Sequence, residues 1–338
     1  MRQSTTISLA VLALATLPFF AACTERTPEV VVYTSVDQVF SEPVFREFER
    51  DSGVRVRAVF DTEETKSTGV VNRLIAEAGA PRADVFWSGD PVRPFLLLKR
   101  GLVASYASPE AAAIPDSFRS PDGSWTGSGA RARVFLVNRT RLGERTDPHS
   151  VRDLIDARWR GEAAIANPLF GTTTMHAAAL FSTWGDEQAR HFFVALRENE
   201  VRIASSNGEV KRLVVAGEVT FGLTDSDDAH QAVASGADVS VVYPDQDGTG
   251  TLVMPTAVVL LNGAAHPEQG RRLVDFLLSG RAELAMAERA AHMPLRSDVT
   301  PPAGVPRVSD VRAMAVDYAV LGEVMERVQP WLRSWAGL

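Results

Sequence analysis

The chain has 338 residues, with 35 Lys+Arg against 42 Asp+Glu for a formal charge of -7. That length is enough for two lobes with real cores, and the negative balance argues against nucleic acid, whose phosphates select basic surfaces. Lys66, Lys99 and Lys211 are the only lysines and Cys23 is the only cysteine, so no disulfide can form within the chain and the mature protein is expected to use no thiol chemistry.

The first segment reads as an export signal. Arg2 is followed by an apolar run from Ile7 to Phe20, ending in Phe20-Ala21-Ala22-Cys23. A charged start, a core too short to span a bilayer and small residues before the cut describe a secretory signal over residues 1–22. Cys23 directly after the small residues resembles a bacterial lipobox. A lipidated Cys23 and a linker over 23–28 are therefore expected, with a plain signal peptide and an incidental cysteine as the alternative. About 315 residues follow Cys23, enough for a globular body tethered outside the inner membrane.

One unit then recurs. Glu29 to Thr34 has the composition of a buried strand. A helix is predicted from Ser41, with Val44, Phe45 and Phe48 on one face and Gly53 as its stop. Val54–Phe60 is the second strand, Thr65–Ala78 the second helix, Asp84–Trp87 the third strand and Pro91–Arg100 the third helix. The unit returns with strands at Ala163–Ala166, Val201–Ala204 and Val219–Leu223, and with helices near Thr172, after Asn207 and after Asp227. This alternation predicts parallel sheets with helices on their faces. Two isolated strands, 133–138 and 256–262, read as crossings between lobes. The predicted fold is α/β and two-lobed. Residues 29–130 plus 256–300 form one lobe, 131–255 form the other with the hinge strands, and helices over 301–338 pack on both.

In open α/β sheets, ligands bind where the carboxyl ends of strands lead into helix starts. Those positions hold Ser35 and Asp37, Thr65 and Lys66, and Ser88 and Asp90 in the first lobe. In the second lobe they hold Gly171, Thr172 and Thr173, Asn207, and Asp225, Asp227 and Asp228. The hydroxyl-rich helix starts "FGTTT" and "TKSTG" suit an anion, because free N–H groups and the positive helix end meet it there. Arg131 or Arg133 on the crossing strand could pair with it. The plainer reading makes Thr172 a helix cap and Lys66 a solvated charge. Likewise, a cap and a helix-dipole partner would explain one or two of the aspartates but leave Asp225 without a role.

The segments "RADVFWSGD", "ANPLFGTTT", "VVAGEVTFGLTDSDDA" and "GTLVMPTAVVLLNGAAHPEQGRRLVDFLLS" resemble the extracellular solute-binding proteins of ABC importers, in particular the ferric-iron-binding branch and its sugar-phosphate and phosphonate relatives. The resemblance implies a two-lobed periplasmic-binding-protein-like fold. It also implies a monomer that binds without catalysis or cofactor, and a permease with its ATPase as partner. The iron-binding branch carries two adjacent tyrosines and two asparagines where this chain has Asp225, Ser226, Asp227 and Asp228. The branch's histidine ligand falls at about Asp37, and its glutamate at about Gly89, beside Asp90. A bound ligand would then be either Fe3+, held through Asp227 and Asp228 with Asp37 and Asp90, or a phosphorylated or phosphonate molecule. In the second case the anionic end would sit on the helix starts, and a cationic or polyhydroxyl end would meet Asp227 and Asp228. Tyr33, Trp87 and Tyr243 could pack on a ligand, with core packing as the alternative for the first two.

Other motifs fail. "DSDDAHQAV" lacks the glycine and final glutamate of a calcium loop, and "DQDG" at 245–248 reads as a turn. The histidines have no zinc spacing, and no serine sits in a nucleophile elbow. A metal-dependent phosphoesterase and a ligand sensor for a membrane receptor are the alternative functions.

Overall fold

A computed structural model describes residues 27–61 and 69–337. The export signal, Cys23, Thr65 and Lys66 lie outside the described residues. The first half runs β1 (Glu29–Thr34), α1 (Gln38–Ser52), β2 (Arg55–Phe60), α2 (Gly69–Ala76), β3 (Val85–Ser88), α3 (Arg93–Leu98), β4 (Val103–Ala104) and β5 (Thr126–Asn138). There follow α4 (Arg139–Leu142), β6 (Ala163–Ala166), α5 (Gly171–Trp184), α6 (Asp186–Glu198), β7 (Arg202–Ala204), α7 (Asn207–Val215), β8 (Phe221–Asp225) and α8 (Ser226–Ala234). The chain closes with β9 (Val239–Val242), β10 (Val253–Leu261), α9 (Pro267–Leu277), α10 (Gly280–Ala290) and α11 (Tyr318–Ala336).

The strands join in the order β2-β1-β3-β10-β5-β8-β6-β7, with β4 on β10 and β9 on β5. The outer sets are parallel: β2, β1 and β3 in one lobe, β8, β6 and β7 in the other. β5 and β10 enter antiparallel between them and carry the chain across. The first half of β5 pairs with β10 and its second half with β8 and β9, so this one strand belongs to both lobes. The architecture is the predicted two-lobed α/β fold.

Strand alternation assigns the cores. In the first lobe Val30, Val32, Val85 and Trp87 face α1, α9 and α10, packing on Phe45, Phe48, Leu273 and Leu277. Tyr33 and Phe86 point to the opposite cluster, which continues through Phe135, Trp159 and Phe221 of the second lobe. Tyr33 and Trp87 are thus core residues: the Tyr33 hydroxyl donates to Glu77 at 2.8 Å and the Trp87 indole to Thr256 at 3.4 Å.

Several boundaries differ from expectation for identifiable reasons. Helix α1 starts at Gln38 rather than Ser41, because Ser41 is buried and its hydroxyl turns back to the carbonyls of Val36 and Asp37. β5 begins at Thr126, where "TGSGA" has little strand propensity of its own; pairing with β10 imposes the strand. β8 runs on through Asp225, which pairs directly opposite Arg133 of β5. Beyond residue 301 the described chain holds one α-helix, α11, instead of several. Trp331 and Trp335 of α11 pack on Phe181 and Phe193 of the second lobe, while its Glu323 reaches Lys99 beside α3 at 2.7 Å.

Candidate functional site: the interlobe cleft

The site is centred on two arginines of the crossing strand. Arg131 and Arg133 stand two residues apart on β5, so both side chains leave on one face. Each meets carboxylates, in different surroundings.

Arg133 is completely buried. One guanidinium nitrogen donates to Asp225 at 2.5 Å, to Asn207 Oδ1 at 2.9 Å and to Thr172 Oγ1 at 3.1 Å. The other reaches Thr173 Oγ1 and the Leu223 carbonyl, each at 3.3 Å. Asp225 also accepts from the Thr172 hydroxyl at 2.9 Å and from Asn207 Nδ2 at 3.3 Å. A buried charge is tolerable only when paired and hydrogen-bonded, and here both are. Asp225, Thr172, Thr173 and Asn207 were expected to meet ligand. Instead they bond to one another and to the terminal nitrogens of Arg133, whose buried Nε has no partner among the described residues, and Asp225 acquires the role that a helix cap could not give it. Beneath them His176 is buried with neither ring nitrogen partnered; burial, then the Arg133 charge, pushes its pKa down to about 3, so it is neutral.

Arg131 reaches across the cleft. It donates to the Gly89 carbonyl of the first lobe at 2.9 Å, and in the second lobe lies 3.4 Å from Asp225 and 3.6 Å from Asp227. Burial opposes its charge, but the fields of Asp227, Asp225, Asp37 and Asp90 outweigh that, and its pKa is raised. Of the two arginines expected near an anion at the α5 start, Arg133 is the one beside Thr172 and Thr173.

Asp227 lies in the first turn of α8, its side chain 16% exposed. Burial raises its pKa to about 6 against the pull of Arg131, with Asp225 and Asp228 adding to the rise. Asp228 turns away to Lys211 of α7, 2.9 Å distant, which also holds Gln231 at 2.8 Å. The expected Asp227–Asp228 metal pair is therefore divided between two cations. Among the described residues no group of three or more His, Cys, Asp or Glu is placed to hold a metal.

In the first lobe, Ser35 and Ser88 stitch the loops together: Ser35 Oγ accepts from Gly89 N at 2.9 Å, and Ser88 Oγ from Asp90 N at 3.3 Å. Asp90 turns the loop into α3, its carboxylate accepting from the amides of Val92 and Arg93 at 2.9 and 3.0 Å. A Cβ on Gly89 would stand 2.9 Å from the Ser35 carbonyl oxygen, so only glycine lets the two loops approach this closely. Asp37 occupies the start of α1 without a side-chain capping bond.

Helix α5 begins at Gly171. No side chain caps it, and the exposed Gly171 enters at φ 57°, a conformation glycine adopts without strain. The first-turn amides therefore stay available at the positive end of a 14-residue helix. Arg131, Asp227 and the α5 start thus gather around Asp225, which the Thr172 hydroxyl and Arg131 both reach. The sequence reading missed Lys211, the Gly89 carbonyl and His292. His292 is buried beside Gly129, with Nδ1 unpartnered; burial, then Arg131, pushes its pKa down to about 3. Lys211 carried one signal, as one of only three lysines, but its contact joins two helices and has no fixed spacing.

Two α/β lobes joined by crossing strands, with helix starts and charged groups lining the cleft between them, define a periplasmic-binding-protein fold. Residues 81–321 match the family of bacterial extracellular solute-binding proteins, and the chain belongs to it. It is the ligand-capturing part of an ABC importer. A Salmonella typhimurium protein named "Putative 2-aminoethylphosphonate-binding periplasmic protein" is 28% identical over 99% of this chain and 94% of its own length. Among solved structures, iron-bound HitA from Pseudomonas aeruginosa superposes with a TM-score of 0.80 at 22% identity, covering 92% of this chain and all (100%) of that one. AfuA from Actinobacillus pleuropneumoniae, with fructose-6-phosphate bound, superposes with a TM-score of 0.77 at 23% identity, covering 93% and 100%.

Proposed function

We propose that this chain captures a small phosphonate or phosphorylated compound with a cationic or hydroxyl-rich end, and delivers it to a membrane permease driven by an ATPase. The observation that carries this reading is the uncapped start of α5 in the same cleft as the ionisable Asp227. An anionic head on the α5 amides receives several N–H donors and the helix dipole. A cationic end then meets Asp227, whose carboxylate otherwise accepts from the Asp228 amide at 3.0 Å and lies 3.6 Å from Arg131. The Salmonella relative carries the same chemistry in its name. Fe3+ is the less favoured cargo, because a guanidinium stands among the carboxylates that would receive it.

A thermal-shift and calorimetric panel tests this. We expect 2-aminoethylphosphonate or a sugar phosphate to raise the melting point, with a native-state stabilisation of about 2.7 kcal/mol when free ligand is 100 times Kd. Ferric salt alone should do little. A strong ferric response with none from any phosphonate or phosphate would reject the reading. Release of inorganic phosphate from the sugar phosphate, whose P–O ester water can cleave, would point to the phosphoesterase alternative.

Binding is coupled to closure. The lobes hinge near Arg131–Arg133 and Met254–Thr256, where β5 and β10 cross, and closing them buries the ligand. Small-angle scattering with a saturating ligand should give a smaller radius of gyration than without it; identical curves would rule out the hinge. Lipidated Cys23 is the proposed anchor: Cys23→Ala should release the protein from the membrane fraction, and its retention there would contradict the lipobox.

A further inference from the structure

We propose that His292 contacts the ligand: its imidazole accepts a hydrogen bond from the ammonium end that Asp227 receives on the other flank of Arg131. The inference rests on the proposed function and names a contact which that reading leaves open.

The place of His292 is set by β5. Ala130 and Ala132 stand two residues apart on that strand, so their amides point to one edge. Ala130 N donates to the Met293 carbonyl at 2.9 Å, and its carbonyl accepts from Met293 N at 2.7 Å. Ala132 N donates to the Ser226 hydroxyl at 3.0 Å. Met293 follows α10 of the first lobe, and Ser226 opens α8 of the second. The two lobes therefore abut along this edge. The antiparallel pairing of Ala130 with Met293 sets His292 opposite Arg131 and on the same face, in the closer type of cross-strand pair. From the other flank, Asp227 of α8 comes within 3.6 Å of Arg131.

The ring is held there at a cost. His292 is 4% exposed, and its Nδ1 is buried with no hydrogen-bond partner among the described residues. Buried polar atoms in folded proteins nearly always have one, so an orphan at the junction of two lobes marks a group kept for something other than the fold. A Cβ on Gly129 would stand 3.4 Å from the His292 Cβ and 3.5 Å from Nδ1, so the ring lies directly against that glycine. The chain reaches His292 through Ala291 at φ 52°, a left-handed conformation that suits glycine and strains alanine. Strain of this kind gathers at ligand sites. Burial and the Arg131 charge keep the imidazole neutral. One ring nitrogen then offers a lone pair, whereas an imidazolium offers only donors. An ammonium has three N–H donors; Asp227 takes one, and the neutral imidazole across Arg131 takes another.

The test compares 2-aminoethylphosphonate with ethylphosphonate, which lacks the ammonium, in calorimetric titrations. His292→Leu should bind 2-aminoethylphosphonate at least about tenfold more weakly than wild type, the worth of a hydrogen bond to a charged group, and ethylphosphonate equally well. His292→Gln, which restores an acceptor, should recover most of the loss. Without ligand, His292→Leu should unfold at a urea concentration no lower than wild type, because it removes an unsatisfied polar atom from the interior. Unchanged affinity of His292→Leu for 2-aminoethylphosphonate would overturn the contact and leave the proposed function standing. Equal losses for both compounds would do the same, and so would a urea midpoint below wild type, which would return the ring to the fold. Wild type that binds neither compound would reject the proposed function, and this contact with it.

Discussion

Asp225→Ala is expected to cost about 3–5 kcal/mol of folding stability, the penalty for leaving a buried partner charge uncompensated. Arg133 has no exposed surface through which water could take over. Its nearest anion is Asp225, at 2.5 Å, and without it the guanidinium retains only neutral acceptors: Thr172, Thr173, Asn207 and the Leu223 carbonyl. The hydroxyl of Thr172 and the amide of Asn207 lose an acceptor at the same time. Asp225→Asn keeps the shape and part of the hydrogen bonding, so it should cost less than alanine but remain well below wild type. The double change Asp225→Ala with Arg133→Met should recover much of the loss, because it removes both charges together. Urea unfolding of wild type, Asp225→Ala, Arg133→Met and the double variant measures this cycle. A single Asp225→Ala variant within about 0.5 kcal/mol of wild type, the range typical of surface changes, would show that the pair does not carry the second lobe.

The second large effect belongs to Asp227 and depends on pH. Its folded pKa is raised to about 6 from an ordinary carboxylate value. The folded state therefore holds a proton that the unfolded chain has already released between roughly pH 4 and 6. Stability contributed at this position is greatest at the acid side of that window. It falls as pH rises through it, and is flat above. Asp227→Asn has no such slope, so at pH 8 the ligand-free variant should be more stable than wild type by roughly 2–3 kcal/mol. Binding should show the opposite preference. A cationic ligand end pulls the Asp227 pKa down, so binding near pH 6 expels a proton and affinity rises with pH from about 5 to 7. Calorimetry in buffers of different ionisation enthalpy reads that proton directly. The groups facing Asp227 are Arg131, Asp225 and Asp228, and the first of these stays charged throughout the range. His292 does not confuse the profile, because it is neutral across it. An Asp227→Asn variant with wild-type stability at pH 8 and wild-type affinity would remove Asp227 from the cleft's chemistry.

Much of this protein was legible from its residues in order. Periodicity and stop signals located strands such as Glu29–Thr34 and Ala163–Ala166, because a buried strand has to be apolar wherever it lies. Alternation of strands and helices determined the α/β class, and the carboxyl ends of the strands marked the cleft loops. Asp225, Asp227, Thr172, Asn207 and Arg131 were all singled out as neighbours of one site, and the structure brings them together. What each of them does was decided only by tertiary packing. Arg133 and Asp225 are 92 residues apart in sequence, and nothing local says that their charges cancel in the interior. The adjacent Asp227 and Asp228 look equivalent until α7 supplies Lys211 to one and β5 supplies Arg131 to the other. The first half of β5 escaped detection because its glycines have no strand preference until β10 pairs with them. Residue type and period are local properties and can be read from sequence. Whether a polar group is spent inside the fold or left for a ligand depends on partners that the chain brings together only when it closes.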